Sequence, residues 1–422
     1  MRSYVAEIIS VGTELLLGNI VNTNAQYLAE MLSLYGINVY YQTVVGDNPA
    51  RLKAAVEIAA GRSDILIMTG GLGPTSDDLT KETVAACFGR KLVYNTEVEK
   101  KLREMFVHHG RITPNNFRQA MLPEGCTVLE NICGTAPGCA FESDGKLVVM
   151  LPGPPRECIA MFENAVRPIL EKLSGGCIVS RSIRIFGMGE SAVEDALHDL
   201  ILGSTNPSVA PYAKTGEVML RVTALADTKD EAFDMTLPVI DEITNTLPDC
   251  IYGVDCDSLE ERAYSLLSER NMTLASAESC TGGLLAKRIT DIPGSSGVFL
   301  GGVVPYSNEM KEAVLGIPRE IIVEHGAVSE QTARMMADGV RGLSGADFGI
   351  GITGIAGPGG GSDEKPVGLV YVALAARDGT YCRKMMMGTY GGRDMIRARS
   401  VNTALDMLIR HLTGRPVIAN MY

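Results

Sequence analysis

Three times along this 422-residue chain a short apolar run stops at a glycine-bearing loop: residues 64–69 (DILIMT) before GGLGPTSDD, 272–277 (MTLASA) before ESCTGG, and 347–353 (DFGIGIT) before the glycine run that starts at Gly354. Runs this short suit buried strands better than core helices, and the first two lead into helix-patterned stretches. Repeated strand, glycine turn and helix describe a parallel sheet with helices packed over it, so the fold class is multidomain α/β. Ligands of such sheets collect beyond the carboxyl ends of the strands, where these loops fall. At 422 residues the chain outgrows a single core, which points to two or three domains.

Charge and composition narrow the partners. A net charge of -12 offers no bulk basic field to collect a phosphate backbone, so direct nucleic-acid binding is not expected. No apolar run approaches membrane-spanning length, and the first residues read as a strand rather than a signal peptide, which makes the cytoplasm the expected location. Ten cysteines without a CxxC pair suggest small buried hydrophobes more than a disulfide framework. Trp is absent while Gly reaches 46, a balance that suits nucleotide-sized ligands held by glycine turns.

In the first part, residues 4–10 read as a strand, VGTELLLGNIVNTN as its loop and AQYLAEMLSLYG as a helix. Gly70, Gly71 and Gly73 let backbone approach a phosphate, and Thr75 and Ser76 could donate hydrogen bonds to it. Asp77 and Asp78 are either hard oxygen ligands for a divalent cation or caps of a helix that runs to Phe88. Glu14 and Asp47 fall in neighbouring post-strand loops and could converge with them. The lysine of a Walker loop is missing. LPGPPRE opens a helix running to about Leu173, with Gly153 and Arg156 available to a phosphate pocket, and Arg118 and Gln119 are either solvated helix residues or ligand contacts.

Between Gly176 and Gly253 the texture becomes a strand (RSIRIFG), a helix (GESAVEDALHDLI), a second strand (GEVMLRVTALA) and a helix broken or restarted near Pro238. No nucleophile and base pair up here; Tyr212 and Lys214 could reach a neighbouring pocket.

In the last part, Ser279 follows the strand at 272–277 and precedes a helix toward Ile289. A serine at such a turn can expose its hydroxyl beside main-chain donors for an oxyanion, or it can simply cap the helix. Tyr306 and Lys311 follow the next strand; Lys311 is a base only if burial or a nearby cation lowers its pKa, and otherwise a solvated helix lysine. Asp363, Glu364 and Lys365 either close the glycine loop or stay solvated. VGLVYVALAARDGTYCRKMMM reads as a hairpin, and Arg393 and Arg397 share one face near the start of the terminal helix, where they oppose the dipole and invite an anion.

Over most of residues 1–170, VGTELLLGNIVNTN, TGGLGPTSDD, RQAMLPEG, GTAPG and LPGPPRE resemble the N-terminal domain of the competence/damage-inducible protein A (CinA) family. The resemblance implies a three-layer molybdopterin-binding-like fold over residues 1–173. It also implies metal-dependent cleavage of ADP-ribose, with Mg²⁺ or Co²⁺ at Asp77 and Asp78 beside a phosphate site of Gly70, Gly71, Gly73, Thr75 and Ser76. FGMGES and NPSVAPYAKTGEV resemble the family's small α+β linking module, assigned to 176–255. AESCTGG, YSNEMK, HGAVSE, GITGIAGPGGGSDEKPVG and GRDMIR resemble its three-layer α/β nicotinamide mononucleotide deamidase domain, assigned to 257–415. That likeness implies Ser279 as nucleophile, Lys311 as base and Tyr306 as a supporting hydroxyl. Substrate contacts are implied at Thr281, Gly282, Gly283, Gly357, Gly359, Gly360, Arg393 and Arg397, with no cofactor. Cys280 is the competing nucleophile, and a homodimer is the expected assembly. The alternative is a nucleotide- or pterin-binding protein acting in competence or the DNA-damage response through partners.

Overall fold

The computed structural model describes residues 4–109, 113–174, 176–214 and 216–418. They form two compact units, one built from residues up to Ser180 with Ala224–Asp234, the other from Arg181–Thr223 and Met235 onward. No described helix is long and apolar enough to cross a membrane.

In the first unit β1 (Val5–Val11) leads through a short helix α1 (Thr13–Leu16) and α2 (Thr23–Leu34) to β2 (Asn38–Val45), and α3 (Pro49–Arg62) returns to β3 (Ile65–Thr69). After α4 (Thr80–Cys87), the ladder of β4 (Leu92–Tyr94) with β5 (Met121–Pro123) brackets α5 (Thr96–His109). Then come β6 (Thr127–Leu129), β7 (Gly138–Ser143), β8 (Lys146–Leu151), α6 (Pro155–Met161), a π-helical turn and α7 (Arg167–Ser174). The main sheet runs β2, β1, β3, β8, β7, β6; the first four strands are parallel, and β7 runs antiparallel to both its neighbours, β8 and β6. Alternation along the strands sends Ile9, Leu66, Met68, Val148 and Met150 to one face, against α3, α4 and α5. Ala6, Ile8, Ile65, Ile67 and Val149 go to the other, against α2, α6 and α7. These strands are apolar on both faces because both faces are covered, which gives three layers.

The sequence reading needs four corrections. The loop after β1 contains α1, and the stretch 189–201 divides into α8 (Glu190–Ala196) and α9 (His198–Gly203). The small module also holds more strands than its composition disclosed. It comprises β9 (Cys177–Phe186), α8, α9, β10 (Ser208–Lys214), β11 (Glu217–Ala226), α10 (Lys229–Thr246) and β12 (Ile251–Val254), in sheet order β10, β11, β9, β12. Finally, α10 passes through Pro238 without a break. Pro238 lies on the exposed side of the helix, where water can satisfy the carbonyl its ring leaves without an amide partner.

The last part of the second unit begins with α11 (Leu259–Arg270), β13 (Leu274–Glu278), α12 (Leu284–Thr290), β14 (Phe299–Val303), α13 (Asn308–Leu315) and α14 (Arg319–His325). It continues with α15 (Glu330–Ser344), β15 (Phe348–Gly354), the hairpin β16 (Leu369–Ala376) and β17 (Gly379–Met386), and α16 (Gly392–Leu412). Its sheet runs β14, β13, β15, β16, β17, parallel through β15 and antiparallel beyond. Leu274, Ile350, Ile352, Val370 and Val372 pack against α11, α12 and α16. Ala275, Ala277, Ala373 and Ala375 meet the helices of the opposite face. Small residues there let α15 lie close: a Cβ on Gly349 or Gly351 would stand 2.2 Å from the Ala337 carbonyl oxygen or 2.4 Å from that of Ala333.

Candidate active site

β13 ends at Glu278, and the Ser279 amide still donates to the Ile352 carbonyl of β15 at 2.9 Å, so the nucleophile candidate is fixed to the sheet edge by its own backbone. The next residues turn tightly, with the Gly282 amide bonded to the Ser279 carbonyl and Gly282 and Gly283 at φ +58° and +87°. This corrects the capping alternative: the residue before α12 is Gly283, and no side chain at that position caps the helix. Glu278 does that work instead, its buried carboxylate accepting the amides of Leu285 at 3.0 Å and Ala286 at 2.9 Å. The sequence signal for it is a carboxylate placed between an apolar strand and a helix start, where a negative charge meets the positive end of the dipole.

Lys311 is 1% exposed, which overturns the solvated-lysine alternative. Its Nζ lies 3.5 Å from Ser279 Oγ, 2.9 Å from the Pro305 carbonyl and 3.2 Å from that of Tyr306. Burial lowers its pKa from 10.5. A neutral amine can donate its two hydrogens to those carbonyls and turn its lone pair toward the serine hydroxyl. Tyr306 reaches Lys311 through its main-chain carbonyl, while its side chain is 63% exposed. The Cys280 thiol is buried and pushed up to about 11 by desolvation, which keeps it protonated and a poor nucleophile near neutrality.

Two arginines of α16 tie the surrounding loops together. Arg393 Nη1 donates to the Gly357 carbonyl at 2.8 Å, and Arg397 Nη2 to the Thr281 carbonyl at 2.7 Å. Arg397 Nε and the Thr281 hydroxyl are both shut off from solvent with no hydrogen-bond partner among the described residues. Gly359 and Gly360 sit in the exposed stretch after Pro358, as do Asp363 and Glu364. Lys365 instead pins that loop, donating to the carbonyls of His325 at 2.8 Å and Val328 at 2.9 Å.

In the first unit a cavity of about 360 Å³ opens beyond β1, β3 and β8, lined by Gly12, Gly70, Gly71, Gly73, Gln119 and Gly153 among others. Glu14, Asp47, Asp77, Asp78 and Glu157 all line it, so the suspected convergence occurs and Glu157, not singled out from sequence, joins it. Gly70 makes the close turn possible: at φ +97°, a Cβ there would stand 2.1 Å from the Val11 carbonyl oxygen. Thr75 gives both its amide and its hydroxyl to Asp78, and neither it nor Ser76 lines the cavity. Asp77 and Asp78 precede α4 without capping it. Arg118 braces the loop through the Thr75 carbonyl at 2.8 Å, and Arg156 is exposed. In the small module, the Tyr212 ring lies under Arg221 with 4.8 Å from the guanidinium carbon to the centroid; the Lys214 side chain lies outside the described residues.

Among the described residues no group of three or more His, Cys, Asp or Glu side chains is drawn together tightly enough to hold a metal alone. The donor chemistry still fits Mg²⁺, which takes one or two carboxylates and completes its shell with water and substrate phosphate. Five carboxylates and no basic side chain line this cavity, so a phosphate could enter only with a cation.

Comparison with known proteins gives a consistent result along the chain. Residues 7–172 match the family described as probable molybdopterin binding domain, 180–253 the damage-inducible protein CinA KH domain, and 256–412 the CinA C-terminal domain. A CinA-like protein of Dictyoglomus thermophilum is 51% identical over 407 residues, covering 96% of this chain and 98% of that one. The chain belongs to the CinA family.

Another CinA-like protein, from Dictyoglomus turgidum, is 50% identical over 407 residues, with 96% of this chain and 98% of that protein covered. Among solved structures, a competence/damage inducible protein of Agrobacterium tumefaciens is 47% identical over 37% of this chain and 93% of its own, with a TM-score of 0.36. The CinA of Thermoplasma acidophilum is 35% identical over 40% of this chain and 98% of its own, at TM-score 0.38. In this CinA chain Ser279 and Lys311 fall within the C-terminal domain match, and the carboxylate cavity within the molybdopterin-binding match.

Proposed function

We propose that the C-terminal site hydrolyses the carboxamide of nicotinamide mononucleotide to nicotinic acid mononucleotide and ammonia. The observation that carries this reading is the buried Lys311 amine, 3.5 Å from Ser279 Oγ and lowered in pKa by its burial. Ser279 Oγ attacks the amide carbon while neutral Lys311 takes the hydroxyl proton. The carbonyl oxygen becomes an oxyanion facing the main-chain N–H groups of the turn after Ser279. Collapse of this intermediate breaks the C–N bond, and Lys311 returns its proton to the departing ammonia. A water molecule, deprotonated by the same amine, then attacks the acyl-serine, restores Ser279 and releases the acid.

The deciding experiment is ammonia release from nicotinamide mononucleotide in EDTA, with wild type and Ser279→Ala side by side. Release by wild type alone supports the serine mechanism; equal release by both removes Ser279 as nucleophile.

For the N-terminal cavity we propose metal-dependent cleavage of the ADP-ribose pyrophosphate, with Asp77 and Asp78 as ligands of Mg²⁺ or Co²⁺ and the glycines 70, 71 and 73 against the phosphates. The cation, when bound, would offset the phosphate charge that the five lining carboxylates repel. A second reading rests on the match of residues 7–172 to a molybdopterin-binding family: this unit binds a pterin or nucleotide and acts in competence or the DNA-damage response through partners. It predicts saturable ligand binding without turnover. The reading as a whole places a homodimer in the cytoplasm, testable by sedimentation and fractionation.

A further inference from the structure

A second cavity, of about 420 Å³, adjoins the carboxylate cavity of the first unit and differs from it in chemistry. It lies between α5 and the chain from β6 to Pro137. Val98, Leu102 and Met105 of the helix, with Val128 and Pro137 opposite, give it apolar walls. Its size and its apolar lining with a few polar groups are those of a pocket for a small organic molecule.

The boundary between the two cavities is one thickness of chain. Gly134 and Pro137 face the apolar cavity, Ala136 the carboxylate cavity, and Thr135 lines both. No side chain could stand at Gly134, where a Cβ would lie 2.3 Å from the Glu157 carboxyl carbon. Hydrogen bonds hold this wall from either side. Gln119 Nε2 donates to Thr135 Oγ1 at 3.3 Å, and Asn131 Nδ2 donates to the Ala136 carbonyl at 2.9 Å and to Glu157 Oε2 at 2.7 Å.

The polar groups of the apolar cavity exclude some occupants. Glu97, Glu104 and Glu130 line it against one lysine, Lys101, which is tied to Glu130 at 2.8 Å. The surplus of carboxylate repels an anionic group and favours a neutral ring that donates hydrogen bonds. Asn95 lines the cavity too, with its carbonyl oxygen taken by the amides of Glu97 at 3.1 Å and Val98 at 3.0 Å, so the amide nitrogen is the end not spent on the helix.

We propose that this cavity holds the adenine ring of a nucleotide whose phosphate lies with its cation in the carboxylate cavity, the sugar passing over Thr135. The proposal rests on the phosphate reading of that neighbouring cavity. An exocyclic amino group beside a ring nitrogen offers a donor to the carboxylates and an acceptor to an amide nitrogen, whereas a ring with an oxo group in place of the amine brings its oxygen toward negative charge.

The test is calorimetric titration of the full-length protein in Mg²⁺ with adenosine monophosphate, inosine monophosphate and ribose 5-phosphate. Adenosine monophosphate is expected to bind at least about tenfold more tightly than ribose 5-phosphate, with inosine monophosphate severalfold weaker than the adenine nucleotide. Val128→Trp fills the cavity from β6, and Met105→Trp fills it from α5 should the first variant fail to fold; in either, the preference for adenosine monophosphate over ribose 5-phosphate is expected to disappear. Equal affinities of wild type for those two ligands overturn the proposal, as does a preference that survives in a folded filled variant. Turnover of ADP-ribose by the wild type separates this result from the catalytic reading: cleavage without a base preference removes the adenine site alone, and a preference lost on filling, without cleavage, keeps the site and removes the pyrophosphatase.

Discussion

Lys311 is held behind the carbonyls of Pro305 and Tyr306, and its chemistry follows from the loss of hydration there. Its pKa is lowered from 10.5 by burial, so the free base is populated at lower pH than on an exposed lysine. If it is the general base, kcat/KM for ammonia release rises with pH through that lowered pKa and then levels; a profile unchanged in Lys311→Met would remove it from the mechanism. The same shift acts on stability. On unfolding the group recovers its ordinary value, so between the two values the unfolded chain binds more protons and the stability contributed here increases with pH. Comparing wild-type and Lys311→Met unfolding free energies across that range measures the slope. For the nucleophile, Ser279→Ala is expected to cost on the order of 10³-fold or more in kcat. Cys280→Ala should stay within about threefold, because a thiol pushed up to about 11 contributes little thiolate at neutral pH. A comparable loss in both variants would show that the two roles have been misassigned.

At the scale of elements, the turn from β13 into α12 depends on a side chain that neither touches the substrate position nor looks catalytic. Glu278 accepts two amides at the start of α12, whose own preceding residue, Gly283, offers no cap. Glu278→Ala is expected to lower the unfolding free energy by about 1–3 kcal/mol in urea, and Glu278→Gln by less, since the amide oxygen still accepts. An alanine variant as stable as wild type would mean that water replaces the carboxylate. On the other face of the sheet, Gly351→Ala would place its methyl 2.4 Å from the Ala333 carbonyl oxygen and force α15 away. Overpacking of this kind costs about 1–3 kcal/mol, readable as a lower urea midpoint at unchanged m-value.

For the molecule as a whole, the two candidate sites lie in separate compact units and use different chemistry, one a buried amine and hydroxyl, the other a cavity lined by carboxylates. EDTA is therefore expected to abolish ADP-ribose cleavage and leave ammonia release intact. Asp78→Asn should reduce the first by at least about tenfold without touching the second, and Ser279→Ala should do the reverse. Loss of both activities from either single substitution would contradict independent sites.

Much of this was legible in one dimension because local pattern and local chemistry carry it. The short apolar runs that end at Thr69, Ala277 and Thr353 and the turns after them specify strands with loops at their carboxyl ends, and with them an α/β fold and the position of Ser279. What the pattern leaves open is which polar group is buried and what it meets. Lys311 could equally have been solvated, Ser279 could have capped a helix, and Thr75 could have faced a phosphate. The choice came from partners distant in sequence: the amine meets a hydroxyl 32 residues away and Arg397 a carbonyl 116 residues away. Strands β10 and β12, and the unbroken helix at Pro238, likewise follow from pairing and exposure rather than local propensity. The sequence by itself determined the element types and the reactive groups, because periodicity and residue chemistry are local; the tertiary structure decided their protonation, burial and partners, because those depend on what the folded chain brings alongside.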